Sequence, residues 1–260
     1  MTLTIIDTFG FLFRNFYALP PLKSKDGFPT GMITGFLNFI ASLGKEFETD
    51  YLVFTLDSKE DTFRKKIFKE YKANRVTPPE DLQKQLPVAI DLIKEMGFKI
   101  LEYPGFESDD IIASLATLAS KKGIKVKIIS SDKDMYQLLD DEKIVIFDPI
   151  KKIEINEQKC IEKFGVHPKN FIDFQALVGD SSDNIPGVKG VGVKTAAKLI
   201  NQYKTIENLY EHIDEIKGAL KKKLIEGKEN AFLSKKLVTL KTDLIEDINL
   251  DEFKYPKVNP

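Results

Sequence analysis

Short apolar runs alternate with longer segments of helical periodicity from residue 3 to residue 147. The runs predicted as strands are Leu3–Ile6, Tyr51–Leu56, Phe98–Leu101, Lys125–Ser130 and Lys143–Phe147. The segments predicted as helices are Gly31–Glu48, Pro79–Met96 and Ser108–Lys122. Strands that alternate with helices of this length need crossover connections, so the pattern predicts an α/β fold with a parallel, doubly wound sheet.

The pattern changes after about residue 156, where the strand signals nearly disappear. Short helices are predicted at Pro168–Gly179, Val193–Tyr203, Gly218–Glu226 and Glu229–Thr239. We therefore expect residues 1–156 to form the α/β core and residues 157–248 to form a C-terminal helical subdomain. Residues 249–260 are polar and contain two prolines, which favours a tail or a linker.

Composition excludes several kinds of site. The chain has 260 residues, 42% of them hydrophobic, which is enough for a buried core. It has one cysteine and two histidines, so a disulfide framework and a cysteine-based zinc site are excluded, and any metal ligands would be oxygens. No basic leader and no run near the roughly 20 apolar residues of a membrane span is found, so we expect a soluble, cytoplasmic monomer without a membrane partner.

Acidic residues follow four predicted strands. The candidates are Asp7, Asp57, Glu107, Asp109, Asp110, Asp132 and Asp134, to which Asp180 and Asp183 are added from a later segment. Ligands bind outside the carboxyl ends of strands in open parallel sheets, so we expect these side chains to converge there. Any one acid alone is more often a turn residue or a helix cap, and only their common position favours a shared site.

Nine carboxylates in one crevice would repel one another unless cations were bound between them. Magnesium and manganese prefer oxygen ligands of this kind. Two such ions about 3.5–4 Å apart can activate a water molecule and stabilise the leaving oxygen in phosphodiester hydrolysis. The acids therefore favour a metal-dependent phosphohydrolase.

A glycine-rich turn follows two of these acids. Gly190-Val191-Gly192 comes shortly after Asp183 and directly before a predicted helix. Glycines permit close backbone approach, and free amides at a helix start attract phosphate. By spacing alone the turn is a weak signal, and an ordinary polar loop is the alternative. Its position after Asp183 favours a phosphate-binding turn.

The net charge of −1 conceals local basic segments. From Lys59 to Arg75 seven basic residues stand against three acidic ones, and from Ile185 to Lys204 there are four lysines and no acid. Basic surfaces beside an acidic pocket suit a protein that binds phosphates and divalent cations together. A solvated mosaic of charges is the alternative for each run taken alone.

Taken together, these motifs resemble the 5′ nucleases of the flap endonuclease superfamily, most closely the N-terminal 5′-3′ exonuclease domain of bacterial DNA polymerase I. The matching segments are Ile5–Asp7, Phe13–Leu22, Asp57–Arg64, Tyr71–Arg75, Pro104–Asp110, Ser131–Leu139 and Gly179–Ala196, and the match continues to about Leu244. The resemblance implies a PIN-like or Rossmann-like sheet, a helical arch at about residues 62–96 and a C-terminal helix-hairpin-helix type (H3TH) DNA-binding element. Thr8 stands where such proteins usually have glycine, and we expect a local adjustment of the first turn.

The resemblance also implies a role for each candidate. The first metal position would use Asp7, Asp57, Glu107, Asp109 and Asp110, and the second would use Asp132, Asp134, Asp180 and Asp183. Tyr71 would stack on an unpaired base, Lys72 would neutralise the scissile phosphate and Arg75 would hold a neighbouring phosphate. The DNA-binding residues would be Arg64, Lys189, Gly190, Val191, Gly192, Lys194, Thr195 and Lys198. From the residues alone, Tyr71 reads as a core aromatic and Lys72 as a surface lysine.

The function implied is that of a structure-specific 5′-3′ exonuclease and 5′-flap endonuclease, which hydrolyses DNA by a two-metal mechanism in primer removal and repair. Its cofactors would be Mg²⁺ or Mn²⁺, two or more ions, with K⁺ at the hairpin turn. Its partners would be DNA with 5′ flaps or 5′ ends at duplex junctions and a DNA polymerase domain in the same or another chain. A PIN-type ribonuclease and a non-catalytic module for branched DNA are the alternatives.

Overall fold

The computed structural model describes residues 1–46, 49–149 and 151–255. The last two residues of the predicted helix Gly31–Glu48 and residues 256–260 lie outside the described residues. Among the helices described, none has the length and apolar character needed to cross a lipid bilayer.

A six-stranded sheet forms the centre of the α/β core. Its strands are β1 (Thr2–Asp7), β2 (Tyr51–Thr55), β3 (Lys99–Leu101), β4 (Lys125–Ile129), β5 (Ile144–Asp148) and β6 (Ile153–Ile155), in the order β3-β2-β1-β4-β5-β6. The pairs among β1 to β5 are parallel, and β6 alone pairs antiparallel, on the edge beside β5. The predicted parallel sheet is confirmed. The three-residue β6 was not predicted, because so short a run carries little periodic signal.

Eleven α-helices are present in the described residues. Those of the core are α1 (Thr8–Ala18), α2 (Gly31–Glu46), α3 (Phe63–Ile67), α4 (Glu80–Glu95) and α5 (Ser108–Lys121). Those that follow the sheet are α6 (Glu157–Phe164), α7 (Phe171–Val178), α8 (Val193–Tyr203), α9 (Ile206–Glu211), α10 (Gly218–Glu226) and α11 (Lys228–Val238). The C-terminal helical region is thus confirmed. Its first predicted helix, Pro168–Gly179, is a 3₁₀ turn at Pro168–Asn170 followed by α7.

The sheet separates two hydrophobic clusters. Leu3 and Ile5 of β1 point to a cluster that includes α5 and the C-terminal helices. Ile6 points to the other face, where Met32 and Phe36 of α2 pack. Because successive strand residues face opposite sides, one apolar strand buries both faces and requires helices on each side. This is the doubly wound arrangement predicted from the sequence.

The segment after residue 248 contacts the α/β core. Phe253 is buried, the backbone N–H of Tyr255 donates to Asp50 O at 3.1 Å, and the Tyr255 ring lies 5.9 Å from the Phe98 ring. These contacts tie the described part of the C-terminal segment to residues beside β2 and β3. The domain boundaries given above stay predictions.

Candidate functional site

A crevice of about 570 Å³ opens where β1, β2 and β4 end. These neighbouring strands deliver acids from distant parts of the chain to the edge of the sheet where ligands bind. The acidic residues that line the crevice are Asp7, Asp57, Asp109, Asp132, Asp180 and Asp183. The basic residues that line it are Arg14, Lys72, Arg75, Lys133 and Lys163. Six of the nine predicted acids therefore share one cavity.

Asp7 ends β1 and also caps α1, which begins directly at Thr8. Its Oδ1 accepts a hydrogen bond from Gly10 N at 3.1 Å, and its Oδ2 accepts one from Ser130 Oγ at 2.9 Å. A Cβ at position 10 would lie 2.2 Å from Asp7 Oδ2, so any larger residue there would displace the Asp7 carboxylate from its present position. Burial and the negative charges of Asp132 and Asp57 raise the pKa of Asp7 to about 6.

Asp57 and Asp109 lie beside Asp7 in the crevice. Asp57 Oδ1 accepts a hydrogen bond from Ser108 N at 2.8 Å, which ties the end of β2 to the start of α5. Burial and repulsion from Asp132 and Asp7 raise the pKa of Asp109 well above its ordinary value. Protonation or a bound cation would each relieve this repulsion.

Asp134, Asp180 and Asp183 form a second group, called here the buried acid cluster. One carboxylate oxygen of each lies within 4.8 Å of those of the other two. All three side chains are buried. Burial and the charge of Asp132 raise the pKa of Asp134 to about 8. Oxygen donors at such spacing can share one divalent cation.

Asp132 connects this group with the acids at the end of β1. Its Oδ1 accepts a hydrogen bond from Asp134 N at 2.8 Å, so it also caps the 3₁₀ turn that carries Asp134. Burial is the largest cause of its raised pKa, with repulsion from Asp183 adding to it. The acids that the sequence assigned to two metal positions are therefore electrostatically linked.

Glu107 and Asp110 do not line the crevice with the other acids. Asp110 is fully buried and accepts from Arg64 through both oxygens, at 2.6 and 2.8 Å. Asp110 Oδ1 also accepts from Lys241 N at 2.9 Å. With both oxygens taken by protein donors, direct metal ligation by Asp110 does not fit this arrangement.

Arg64 is only 1% exposed, and this corrects its prediction as a DNA-binding residue. Besides Asp110 it contacts Glu107 at 3.3 Å and donates to the backbone oxygens of Leu237 and Thr239. Burial alone would lower the pKa of Arg64, but hydrogen bonding and attraction from Asp110 raise it. Arg64 therefore joins α3, α5 and the end of α11 within the protein, where no phosphate can reach it.

Tyr71 is 4% exposed, so its ring does not stack on an unpaired base in this conformation. Its hydroxyl donates to Glu107 Oε2 at 2.9 Å, and burial and the charge of Glu107 raise its pKa. The aromatic ring belongs to a small cluster with Ile185 and Leu237, and the stacking role stays a prediction.

Lys72 and Arg75 face the crevice. Lys72 Nζ lies 2.9 Å from Glu107 Oε1 and 3.7 Å from Asp183 Oδ2, and Arg75 Nη2 lies 2.6 Å from Asp183 Oδ1. Burial would lower the pKa of Lys72, but attraction from Glu107 and Asp183 raises it overall. Lys72 has a left-handed backbone, with φ at 56°. Both cations are thus held beside the acids of the crevice.

The glycine-rich turn joins α7 to α8. Gly190 has φ at 80°, and Gly192 is the residue before the first turn of α8. Five residues of the predicted DNA-binding set are exposed on this face: Lys189, Gly190, Gly192, Lys194 and Lys198. Thr195 is half-buried, and the Val191 side chain lies in the core, so Val191 can offer only its backbone.

The site also contains residues that were not predicted, among them Lys163 and Gln175. Lys163 lines the crevice from the end of α6, with Nζ 4.8 Å from the Phe164 ring centroid and 5.0 Å from that of Tyr136. Gln175 of α7 donates from Nε2 to Asp134 Oδ1 at 2.5 Å. Gln175 lies five residues before Asp180, but nothing in its residue type signals this contact.

The arrangement fits divalent metal ions. The donor set is made of carboxylate oxygens, which hard cations prefer. Several of these acids are buried with raised pKa values, because burial and mutual repulsion oppose their ionisation, and the positive charge of a cation would relieve both. Asp134, Asp180 and Asp183 would hold one ion, and Asp7, Asp57, Asp109 and Asp132 lie where they can contribute to another.

The whole chain matches one protein family in two parts. Residues 2–165 match the family described as 5′-3′ exonuclease, N-terminal resolvase-like domain. Residues 166–260 match 5′-3′ exonuclease, C-terminal SAM fold. These matches confirm the resemblance stated from the sequence motifs.

Individual relatives support the same family. The chain is 42% identical over 262 residues to a 5′-3′ exonuclease of Aquifex aeolicus, covering 99% of this chain and 89% of that protein. It is 39% identical over 254 residues to the thermostable DNA polymerase I of Thermus thermophilus, covering 98% of this chain but 30% of the polymerase. The chain therefore spans less than a third of that polymerase.

Among solved structures, the bacteriophage T5 5′-exonuclease with bound divalent zinc ions superposes with a TM-score of 0.79 at 26% identity. That alignment covers 93% of this chain and 90% of the T5 chain. The T5 flap endonuclease in a pseudo-enzyme-product complex with DNA and metal ions gives a TM-score of 0.78 at 26% identity, with the same coverage.

Proposed function

Because this chain belongs to the 5′-3′ exonuclease family, we propose that it is a divalent-metal-dependent 5′-3′ exonuclease and flap endonuclease that hydrolyses DNA near the junction of a 5′ single strand and a duplex. The observation that carries this proposal is the position of Lys72, whose ammonium lies between Glu107 and Asp183 at the acid-lined crevice. A cation placed among metal-binding acids is suited to the charge that develops on a phosphate during its transfer.

Bound Mg²⁺ or Mn²⁺ would neutralise phosphate oxygens and lower the pKa of an attacking water molecule. The protein's own contribution is to hold the acids at fixed spacing and to place Lys72 and Arg75 over the same volume. Arg75 is about half exposed and bonded to Asp183, so it can turn from that carboxylate to a phosphate near the cut. Two or more ions would be used, in line with the two connected groups of acids.

Phosphate contacts away from the cut would come from the glycine-rich turn and from α8. Lys189, Lys194 and Lys198 are exposed on this face, and none of them has an ion-pair partner among the described residues. Backbone amides at the start of α8 add donors that read no base sequence. These contacts to the phosphate backbone would select duplex DNA by the shape of its backbone. A potassium ion held by carbonyls of the same turn would strengthen these contacts.

Lys163 adds a phosphate contact within the crevice. The described residues place no carboxylate within 4.0 Å of its ammonium, in contrast to Lys72, Arg75 and Lys133. The Tyr136 and Phe164 rings limit where the ammonium can lie. Burial and the nearby positive charge of Lys151 lower the pKa of Lys163, as expected of a cation that lacks an anionic partner. A DNA phosphate would supply that partner.

The segment from about residue 62 to 96 would guide the 5′ strand as a helical arch. It consists of α3, turns through Asn74, an extended stretch and α4. The turns of this segment are attached to the loop that carries Asp180 and Asp183, called here the acid loop. Lys72 N donates to Asp183 O at 2.9 Å, and Asn74 Nδ2 donates to Ser181 O at 2.7 Å. Movement of this segment would therefore change the position of Asp183.

Primer removal and repair would be the setting of this activity, with a DNA polymerase domain in the same or another chain as the partner. Support comes from relatives in which the matching region is about 30% of a DNA polymerase I. The activity proposed for these 260 residues is that of the nuclease, and polymerisation would belong to the partner domain.

The proposal is tested with a set of matched labelled substrates: a 5′ flap, a 3′ flap, a blunt duplex and a 5′ flap made of RNA on DNA. We expect the 5′-flap duplex to be cut fastest, at the junction, with slow removal of nucleotides from a duplex 5′ end. Equal cutting of 5′ and 3′ flaps would contradict structure-specific action on 5′ ends. Cleavage of RNA strands alone would favour the ribonuclease alternative.

A further inference from the structure

Gln175 occupies an unusual position for a neutral polar residue. Its side chain is 2% exposed, in the middle of the hydrophobic α7, and its Nε2 donates to Asp134 Oδ1 at 2.5 Å. Its Oε1 is buried and has no hydrogen-bond partner in the described part of the chain. A buried acceptor without a hydrogen-bond partner is destabilising, so the hydrogen bond made by the amide nitrogen offsets a real cost at this position.

Among the described residues, the Asp134 carboxylate is held in place by a hydrogen bond from the Gln175 amide. Asp183 accepts from Arg75 and approaches Lys72, and Asp180 accepts from Lys133 and from Ser182 N. For Asp134, the Gln175 amide is the one hydrogen-bond donor to the side chain among the described residues. The amide is oriented with Nε2 toward Asp134 Oδ1, which suits the ionised form of Asp134 that binds a metal ion, because an ionised carboxylate only accepts hydrogen bonds.

Gln175 also fixes the loop that carries the other two acids. Its backbone oxygen accepts from Gly179 N at 2.7 Å, at the end of α7 and directly before Asp180. Side chain and backbone of one residue therefore connect the 3₁₀ turn after β4 with the loop after α7. These two segments supply all three members of the buried acid cluster.

We infer that Gln175 is a positioning residue, which holds one oxygen of Asp134 so that the buried acid cluster presents its remaining oxygens to a divalent cation. This inference rests on the proposed metal-dependent function. Loss of a group that orients a metal ligand typically weakens metal affinity or activity by about 10- to 100-fold. The effect would fall on metal binding, while contacts to DNA phosphates made elsewhere would be unchanged.

The test is Gln175→Met, which keeps the length of the side chain and removes the donor. Its matched control is Gln85→Met, at a glutamine 1% exposed whose Oε1 accepts from Met32 N at 3.0 Å, away from the crevice. Mn²⁺ binding is measured without DNA by calorimetry and by paramagnetic resonance of free Mn²⁺. We expect Gln175→Met to weaken one Mn²⁺ site by about 10- to 100-fold and Gln85→Met to leave it unchanged.

A second readout uses single-turnover cleavage of a 5′-flap duplex at rising metal concentration. We expect high metal to restore most of the rate of Gln175→Met, with unchanged affinity for the flap. Equal Mn²⁺ binding in both variants and the wild type would overturn the inference. A wild-type protein that binds Mn²⁺ normally but cuts no DNA would instead contradict the proposed function, so the two failures are distinguishable.

The wild-type protein gives the deciding measurement if Gln175→Met does not fold. The side-chain amide of Gln175 is followed by nuclear magnetic resonance while Mg²⁺ is added, with that of Gln85 as the internal reference. We expect the Gln175 amide to shift with the filling of the site and that of Gln85 to remain in place. No shift at Gln175 on saturation with Mg²⁺ would overturn the inference.

Discussion

Lys72 and Asp183, far apart in sequence, are joined through both backbone and side chains. Lys72 N donates to Asp183 O at 2.9 Å, and Lys72 Nζ lies 3.7 Å from Asp183 Oδ2. The left-handed backbone of Lys72 accompanies this contact. The basic segment after α3 and the acid loop before the glycine-rich turn are therefore fixed relative to each other. The ammonium of Lys72 is held in place by Asp183 and Glu107.

Lys72→Ala tests whether this ammonium acts on the reacting phosphate. We expect the rate of single-turnover cleavage to fall by about 100- to 1000-fold, because a preplaced charge at the reacting group is removed. The dissociation constant for the flap substrate should change far less. Lys69→Ala, at an exposed lysine of the same segment, is the control and should retain the rate. An effect of Lys72→Ala on affinity alone would remove Lys72 from the chemistry.

Arg64→Met tests the buried ion pair. Removing one partner leaves the Asp110 carboxylate buried without its compensating charge, which costs about 3–5 kcal/mol in the free energy of unfolding. Lys66→Met, on the same short helix but exposed, should change that free energy by about 0.5 kcal/mol or less. Chemical denaturation measures both. Unchanged stability with weaker DNA binding would restore the surface role predicted from the sequence.

The fold and the location of the site were predictable because both depend on periodic patterns. Alternation of strands and helices placed Asp7, Asp57 and Asp132 at one edge of the sheet, and the structure brings them there. Which acids face the crevice was not predictable, because Asp110 follows Asp109 in sequence yet points to Arg64. The two side chains leave the first turn of α5 in different directions. Spacing in the sequence does not show that the partner of Asp110 is Arg64.

The role of Arg64 was missed for the same reason. A basic run indicates a charged surface, but the partners of Arg64 come from α5 and from the end of α11, more than 170 residues away along the chain for Leu237. Gln175 was missed because a neutral amide in an apolar helix carries no signal of its function. Such contacts depend on tertiary packing, which the periodicity of local segments does not contain.

The stability of the metal-free protein should fall as the pH rises from about 4 to about 8. The folded-state pKa values of Asp7 and Asp134, about 6 and about 8, lie above the ordinary value of 3.8. The folded state therefore binds more protons than the unfolded state in this range, and its advantage is lost as the pH rises through the folded-state values. Thermal unfolding in the presence of EDTA measures this.

Added Mg²⁺ should reverse the trend, since ionised carboxylates bind it best, and the gain in melting temperature should be larger at pH 8 than at pH 5. Asp134→Asn is the comparison variant and should flatten the metal-free dependence between pH 6 and pH 8. A stability that rises with pH in EDTA would contradict raised pKa values at these acids.

Lys163→Gln tests the additional phosphate contact. Affinity for the flap duplex should fall at low salt, and the slope of log Kd against log salt should become shallower by about 1, because one phosphate contact is lost. Lys159→Gln removes the same charge from the same helix at a position that does not line the crevice, and its slope should match the wild type. Identical slopes for the two variants would remove Lys163 from the DNA-binding surface.

The central claim is tested most directly by cleavage of an end-labelled 5′-flap duplex, with Mg²⁺ or with EDTA, beside the variants Asp183→Asn and Asp134→Asn. Products are sized at nucleotide resolution, and binding is measured on the same substrate. We expect wild-type cuts near the junction only with Mg²⁺, and near loss of cleavage with DNA binding largely retained in both variants. Flap binding without cleavage by the wild-type protein in Mg²⁺, or equal cleavage in EDTA, would contradict the account.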